Sequence, residues 1–243
     1  MSTTASASGE AAPVRAYSDE SLRDLLTTAR LRSYLRTSSG DLNAALRLYE
    51  WNADASSAVL VTVSMVEALA RNAMDSALVA WADRRRLGDW FGAAPLDNKG
   101  YADIHKARER ATGFGRRPED HGKVVAELGL GFWRYLASKR YLTTLWTPAL
   151  TAAFPHGPAD PLQRLRAVEH RMAMLHHIRN RACHHEPIHR RDLVKDYREA
   201  VELASWVHPD GGAWVAERSM IPVLVASRPF GTNSTATMSS GSR

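Results

Sequence analysis

The chain has 243 residues, a formal net charge of +6 and a pI near 9.7, with 24% of its residues charged and 44% hydrophobic. That length allows a substantial core in one domain, and its Ala-, Leu- and Arg-rich composition, poor in β-branched runs, points to an all-α fold. Its one cysteine, Cys183, rules out an internal disulfide framework and fits a reducing compartment.

Taken in chain order, residues 1–16 are Ser/Thr/Ala/Gly-rich and lack a basic stretch followed by an apolar one, so they read as a disordered tail and not a secretory signal. Ser18 caps a helix expected to run to about Thr37, and Asp41 caps a second segment through Tyr49. Trp51-Asn52-Ala53-Asp54 reads as an interruption. A long helix from about Ala55 to Arg85 then carries Val59, Val63, Val66, Ala70, Met74 and Trp81 at three- and four-residue spacing. No stretch here reaches the ~18 uncharged apolar residues of a membrane span.

Gly88 to Gly100 reads as a loop, Tyr101 to Ala111 as a short helix, and Gly113 to Pro118 as a basic turn. A helix is expected over about Gly122 to Ala137, with Gly129 and Gly131 allowing a kink or a close helix contact. An amphipathic segment covers Arg140 to Ala153, interrupted at Pro148. The next helix carries Leu162, Leu165, Val168, Met172, Leu175 and Ile178 and is closed by Pro187. A further helix spans about Arg190 to Val207. Pro209-Asp210-Gly211-Gly212 turns the chain into a short terminal helix, and residues 229–243 read as a second disordered tail. One helical domain is therefore expected over 17–228.

The densest chemistry lies in Ile178-Arg179-Asn180-Arg181-Ala182-Cys183-His184-His185-Glu186-Pro187. A guanidinium can fork two hydrogen bonds onto a phosphate, and an imidazole titrates near neutral pH. Asn180 and His184 share a helix face, while Arg179 lies about 140° round from His184. At a helix C-terminus the dipole favours a protonated imidazole, so His184 is expected to exchange a proton near pH 7. The plainer alternative is that Arg179 and His184 only cap and hydrate the helix end, worth about 0.3 to 1 kcal/mol.

Six of the ten histidines fall between His170 and His189, but Pro187 separates His185 from His189 and only one thiol is available, so no metal site and no cofactor are expected. Cys183 reads as buried and structural, and Trp81, Trp133 and Trp146 as core. Glu67 and Arg71 are spaced for an intrahelical ion pair. Arg84-Arg85-Arg86 and Arg116-Arg117 read as solvated runs.

Arg179-Asn180-x-x-x-His184 resembles the Arg-polar-x-x-x-His signature of the HEPN superfamily. Val66-Glu67-Ala68-Leu69-Ala70-Arg71-Asn72, Gly131-Phe132-Trp133 and Leu145-Trp146 are similar, in order and spacing, to Abi-like proteins named for abortive phage infection, and the resemblance spans about Leu42 to Val207. It implies an HEPN-like helical bundle with flanking helices and a cytoplasmic homodimer. It also implies a metal-independent endoribonuclease of phage defence or of a toxin–antitoxin pair, cleaving RNA by transesterification through Arg179, Asn180 and His184. Glu67, Arg71, Asn72 and His185 would support that site. An antitoxin or defence protein is the implied partner, and no membrane. The alternative is a non-catalytic helical module that binds nucleic acid or a defence partner.

Overall fold

The computed structural model describes residues 16–229, so the tails expected at 1–16 and 229–243 lie, apart from Ala16 and Pro229, outside the described residues. The described chain is all-helical, with no strand. It divides between Glu50 and Trp51 into two compact units.

The first unit holds α1 (Asp19–Leu26), α2 (Thr28–Thr37) and residues 42–50 of α3 (Leu42–Arg84). Ser18 caps α1 as its sequence implies, accepting from Ser21 N–H at 3.1 Å. The single helix expected to Thr37 is instead split at Thr27. That residue takes φ 70° and turns its hydroxyl to the Arg30 N–H, starting a new helix with its own cap. Within this unit the Tyr34 and Tyr49 rings pack edge to face at 5.3 Å.

The second unit begins inside α3, and the interruption expected at Trp51 to Asp54 is absent. Asn and Asp disfavour helices because their side chains compete for nearby backbone groups. Here the Asn52 side chain is engaged elsewhere: its Oδ1 accepts the N–H groups of Ile188 at 2.7 Å and His189 at 3.0 Å. Trp51 donates its indole N–H to the Leu224 carbonyl at 2.7 Å. With both side chains held by distant partners, the backbone stays helical for 43 residues. By length and composition α3 passes for a membrane-crossing helix, with a mean hydropathy of 1.4 over its most apolar window, although its longest uncharged run, Ala55 to Val66, stays below the ~18 residues of a span. Half of that window is buried in the fold, as befits a core helix.

Asp75 of α3 accepts the Trp90 indole N–H at 2.8 Å and pairs with His121 at 2.9 Å, tying in α4 (Trp90–Ala93) and α6 (His121–Glu127). The region expected as a loop over Gly88 to Gly100 thus contains α4, capped by Asp89. α5 (Asn98–Ala111) is capped by Asp97. The helix expected over Gly122 to Ala137 breaks into α6 and α7 (Leu130–Leu136), because the Leu128 carbonyl accepts the Trp133 indole N–H at 2.9 Å and Gly129 is extended. Residues 139–153 form short 3₁₀ and π turns in place of one amphipathic helix; Pro148 supplies no N–H to continue one.

α8 (Pro161–Cys183) buries Leu165, Val168, Met172, Leu175, Ile178 and Ala182. α9 (Leu193–Val207) packs beside it, with Arg171 stacked 4.2 Å over Trp206 and paired with Glu199 at 2.9 Å. Pro209-Asp210-Gly211-Gly212 is not a turn; it is the first turn of α10 (Pro209–Arg218), where proline is well suited. A Cβ at Gly212 would lie 1.8 Å from Ser205 Oγ, so α9 and α10 meet only because this residue is glycine. α11 (Ile221–Ala226) completes the described helices.

Two expected outcomes follow from the Asn52 junction. Asn52→Ala orphans two buried N–H groups, and a loss of about 2 to 4 kcal/mol is expected in urea unfolding. His189 is fully buried, and burial, reinforced by Arg190 and Arg228, pushes its pKa from 6.5 down to about 4. The unfolded chain then binds this proton first, so stability is intact above pH 6.5 and falls as pH drops toward 4, by about 3 kcal/mol. Unfolding curves across that window check this, and His189→Leu is expected to flatten the slope.

Candidate functional site

The Arg179 to Pro187 stretch is placed by the way α8 stops. The helix ends at Cys183, before Pro187, in a Schellman-type turn: His185 N–H reaches the Ala182 carbonyl at 3.1 Å and Glu186 N–H the Arg181 carbonyl at 2.8 Å. His185 takes φ 54° at the position glycine usually fills. Arg181 donates to the Pro187 carbonyl at 2.7 Å and pairs with Glu186 at 3.3 Å, closing the turn from within. Asn52 then holds the emerging Ile188 and His189.

This frame leaves Arg179, His184 and His185 exposed and Asn180 half-buried on the surface of α8. His184 keeps helical register, donating its N–H to the Asn180 carbonyl at 3.0 Å, while its imidazole makes no hydrogen bond among the described residues. Cys183 is exposed, not buried, because it lies about 100° round from the buried Ala182 on the helix.

His176, one helical turn before Asn180, completes the cluster. The Asn180 Nδ2 and His176 Nε2 atoms lie 3.4 Å apart, and Arg179 Nη1 donates to Asn180 Oδ1 at 3.3 Å. A guanidinium only donates, so Oδ1 must face Arg179 and the amide NH₂ must face His176. His176 therefore accepts at Nε2 and is neutral. Its pKa is lowered by burial, then by Arg134 and Arg179, with a smaller push from His177. The available signal was spacing: His176, Asn180 and His184 recur every four residues on one helical face.

α7 supplies the other wall. His176 Nε2 lies 3.5 Å from where a Cβ on Gly131 would stand, an ordinary contact distance that a small side chain would also allow, so Gly131 marks where α7 runs beside His176. Gly131 also lines a cleft of about 250 Å³ with Lys99, Lys106 and Arg110 of α5. Lys99 pairs there with Asp103 at 2.5 Å and Arg110 with Glu127 at 2.7 Å, while Lys106 is in no ion pair among the described residues. Asp103 and Glu127 line the same cleft, so Lys106 carries its unmatched charge among the described residues.

The supporting residues proposed on α3 make no hydrogen bond to this cluster among the described residues. Glu67 and Arg71 are half-buried, yet no ion pair joins them, and the Arg71 Nε is buried without an acceptor. The expected intrahelical pair is not formed among the described residues, although Glu67 and Arg71 are four residues apart on α3. Asn72 is exposed. Among the described residues no hydrogen bond connects Glu67, Arg71 or Asn72 to Arg179, Asn180 or His184. Nor does any group of three or more His, Cys, Asp or Glu side chains there stand in position to hold a metal ion. Arg84, Arg85, Arg86, Arg116 and Arg117 are exposed, and Trp81, Trp133 and Trp146 are buried, as their sequence settings indicate.

No protein-family model matches the chain, and no curated protein or solved structure matches it.

The His176 arrangement has a measurable consequence. Arg179→Ala removes a neighbouring cation that opposes protonation, so the His176 pKa, lowered in the native chain, is expected to move back up toward 6.5 in an NMR titration. An unchanged value excludes the linkage between these side chains.

Proposed function

We propose that the chain is a metal-independent endoribonuclease of the Abi-like HEPN group, with an HEPN-like bundle around α3 and α8. The observation that carries this reading is the His176–Asn180–Arg179 chain at the surface of α8, beside Arg134 and a cleft bearing Lys106. These groups match what phosphodiester cleavage in RNA requires. The 2′-oxygen attacks phosphorus as its proton leaves to a base, a 2′,3′-cyclic phosphate forms, and the 5′-oxygen departs with a proton from an acid. Arg179 stabilises charge developing on the phosphorane, Asn180 holds Arg179 in line, and His184 carries a proton.

Because the step profits from both an acid and a base, a homodimer that sets two such motifs across one groove is the natural working form. The setting proposed for it is the cytoplasm, in phage defence or as a toxin restrained by an antitoxin.

One observation favours a second reading. No hydrogen bond orients the His184 imidazole relative to Arg179, which suits a module that binds RNA or a defence partner without cutting.

Incubating the full chain with total RNA in EDTA, followed by end-group analysis, separates the two. Cyclic-phosphate or 3′-phosphate ends are expected, with Arg179→Ala and His184→Ala each lowering the rate by about 100-fold or more. Full activity in both variants overturns the assignment, and binding without cleavage supports the second reading.

A further inference from the structure

A second cluster lies where Trp51 of α3 meets the start of α9 and the end of α11. A cleft of about 370 Å³ opens there, lined by Trp51, Arg190, Arg191, Asp192, Leu193 and Arg228, among others. This volume is within the ~300 to 1,000 Å³ typical of small-molecule sites. None of these residues belongs to the α8 surface cluster.

The charges around the cleft are unevenly matched. Arg191 is fully engaged, gripping the buried Asp196 through Nε at 2.5 Å and Nη2 at 2.9 Å. The Asp192 carboxylate is committed to the helix start, accepting the Lys195 N–H at 2.9 Å. Arg228 differs from both. Its guanidinium stands 5.4 Å over the Trp51 ring, and that ring is fixed by the indole bond to Leu224 at 2.7 Å. Among the described residues no carboxylate pairs with it, its Nε is buried without an acceptor, and burial lowers its pKa. A partly desolvated cation with an unmatched donor is costly unless something supplies the acceptor.

The local field has the same sign. Behind the cleft, His189 is held neutral by burial and by the positive charges of Arg190 and Arg228. A group that enters here must bring negative charge and several acceptor oxygens. The planar, ring-backed guanidinium of Arg228 suits two such oxygens held side by side, as on a phosphate.

We propose that this cleft binds a phosphate group, with Arg228 as the principal ligand and Trp51 as the platform that orients it. The phosphate comes from a free mononucleotide or from the backbone of an RNA strand. Binding supplies a counter-charge to Arg228 and offsets the positive field on His189. The site does not depend on the ribonuclease reading, since it uses none of Arg179, Asn180 or His184.

The test titrates the full chain with inorganic phosphate, followed by calorimetry and by NMR of the histidine imidazoles. Saturable binding is expected, with a rise in the His189 pKa and an affinity loss of about tenfold or more in Arg228→Gln. Arg179→Ala is expected to leave both effects in place, which separates this cleft from the surface of α8. An unmoved His189, equal binding by Arg228→Gln, or loss of binding in Arg179→Ala overturns the proposal. Competition then identifies the source: displacement of phosphate by a nucleoside monophosphate alone points to a free nucleotide, and displacement by an RNA oligonucleotide to the strand backbone.

Discussion

One side-chain carbonyl governs what this fold can present at its surface. The Asn52 Oδ1 has two lone pairs, and both are taken by consecutive backbone N–H groups, those of Ile188 and His189. The chain leaving α8 must run inward there, because Ile188 and His189 are buried, and a buried N–H without an acceptor costs as much as a lost hydrogen bond. Supplying both acceptors from a single residue of α3 anchors the segment between two clusters: the end of α8 with Arg179, Asn180 and His184 on one side of it in sequence, and Arg190 with the cleft beside Trp51 on the other. The Arg181 staple acts on the same turn from within α8, so the exit is fixed from two directions.

That anchor also explains where sequence pattern fails as a guide. Periodic apolar residues identify the long central helix and α8 well, since burial of a stripe is a local property of helical spacing. Trp51-Asn52-Ala53-Asp54 has the composition of a break, and it would be one if Asn52 bonded to its own neighbours. The helix continues because partners more than a hundred residues away, Leu224, Ile188 and His189, occupy those side chains. The same cause acts in reverse at Leu128, where the Trp133 indole takes a carbonyl and ends a helix that spacing alone would extend. In both places a long-range or side-chain hydrogen bond overrides local preference, and neither bond is written in the nearby residue types.

The candidate site was legible to the same degree. Arg179, Asn180 and His184 stand out by chemistry and sit where their helix position implies. His176 was hidden among six clustered histidines, and what distinguishes it is its approach to Asn180 and its place beside Gly131 of α7. Its neutral state follows from donor logic. Arg179 can only donate, so the amide has one permitted orientation, and the imidazole must accept. Protonating His176 would reverse its role and leave the amide unable to satisfy both neighbours, so burial and the charges of Arg134 and Arg179 serve one arrangement.

The excess positive charge can now be read by what each arginine does. Arg171, Arg181 and Arg191 have carboxylate partners inside the fold and act as structural forks, so their charges add little to any field felt by a ligand. Arg179 is bound only to a neutral amide, and Arg228 rests on an aromatic face with one donor buried and unmatched. A guanidinium held in place without a counter-charge retains its attraction for an anion and has already lost much of its freedom to move, which lowers the entropic cost of binding. Net charge alone cannot make this distinction, because engaged and unengaged arginines count equally in it. The two proposed anion sites, on the surface of α8 and beside Trp51, are therefore distinguished by which arginines lack a carboxylate among the described residues.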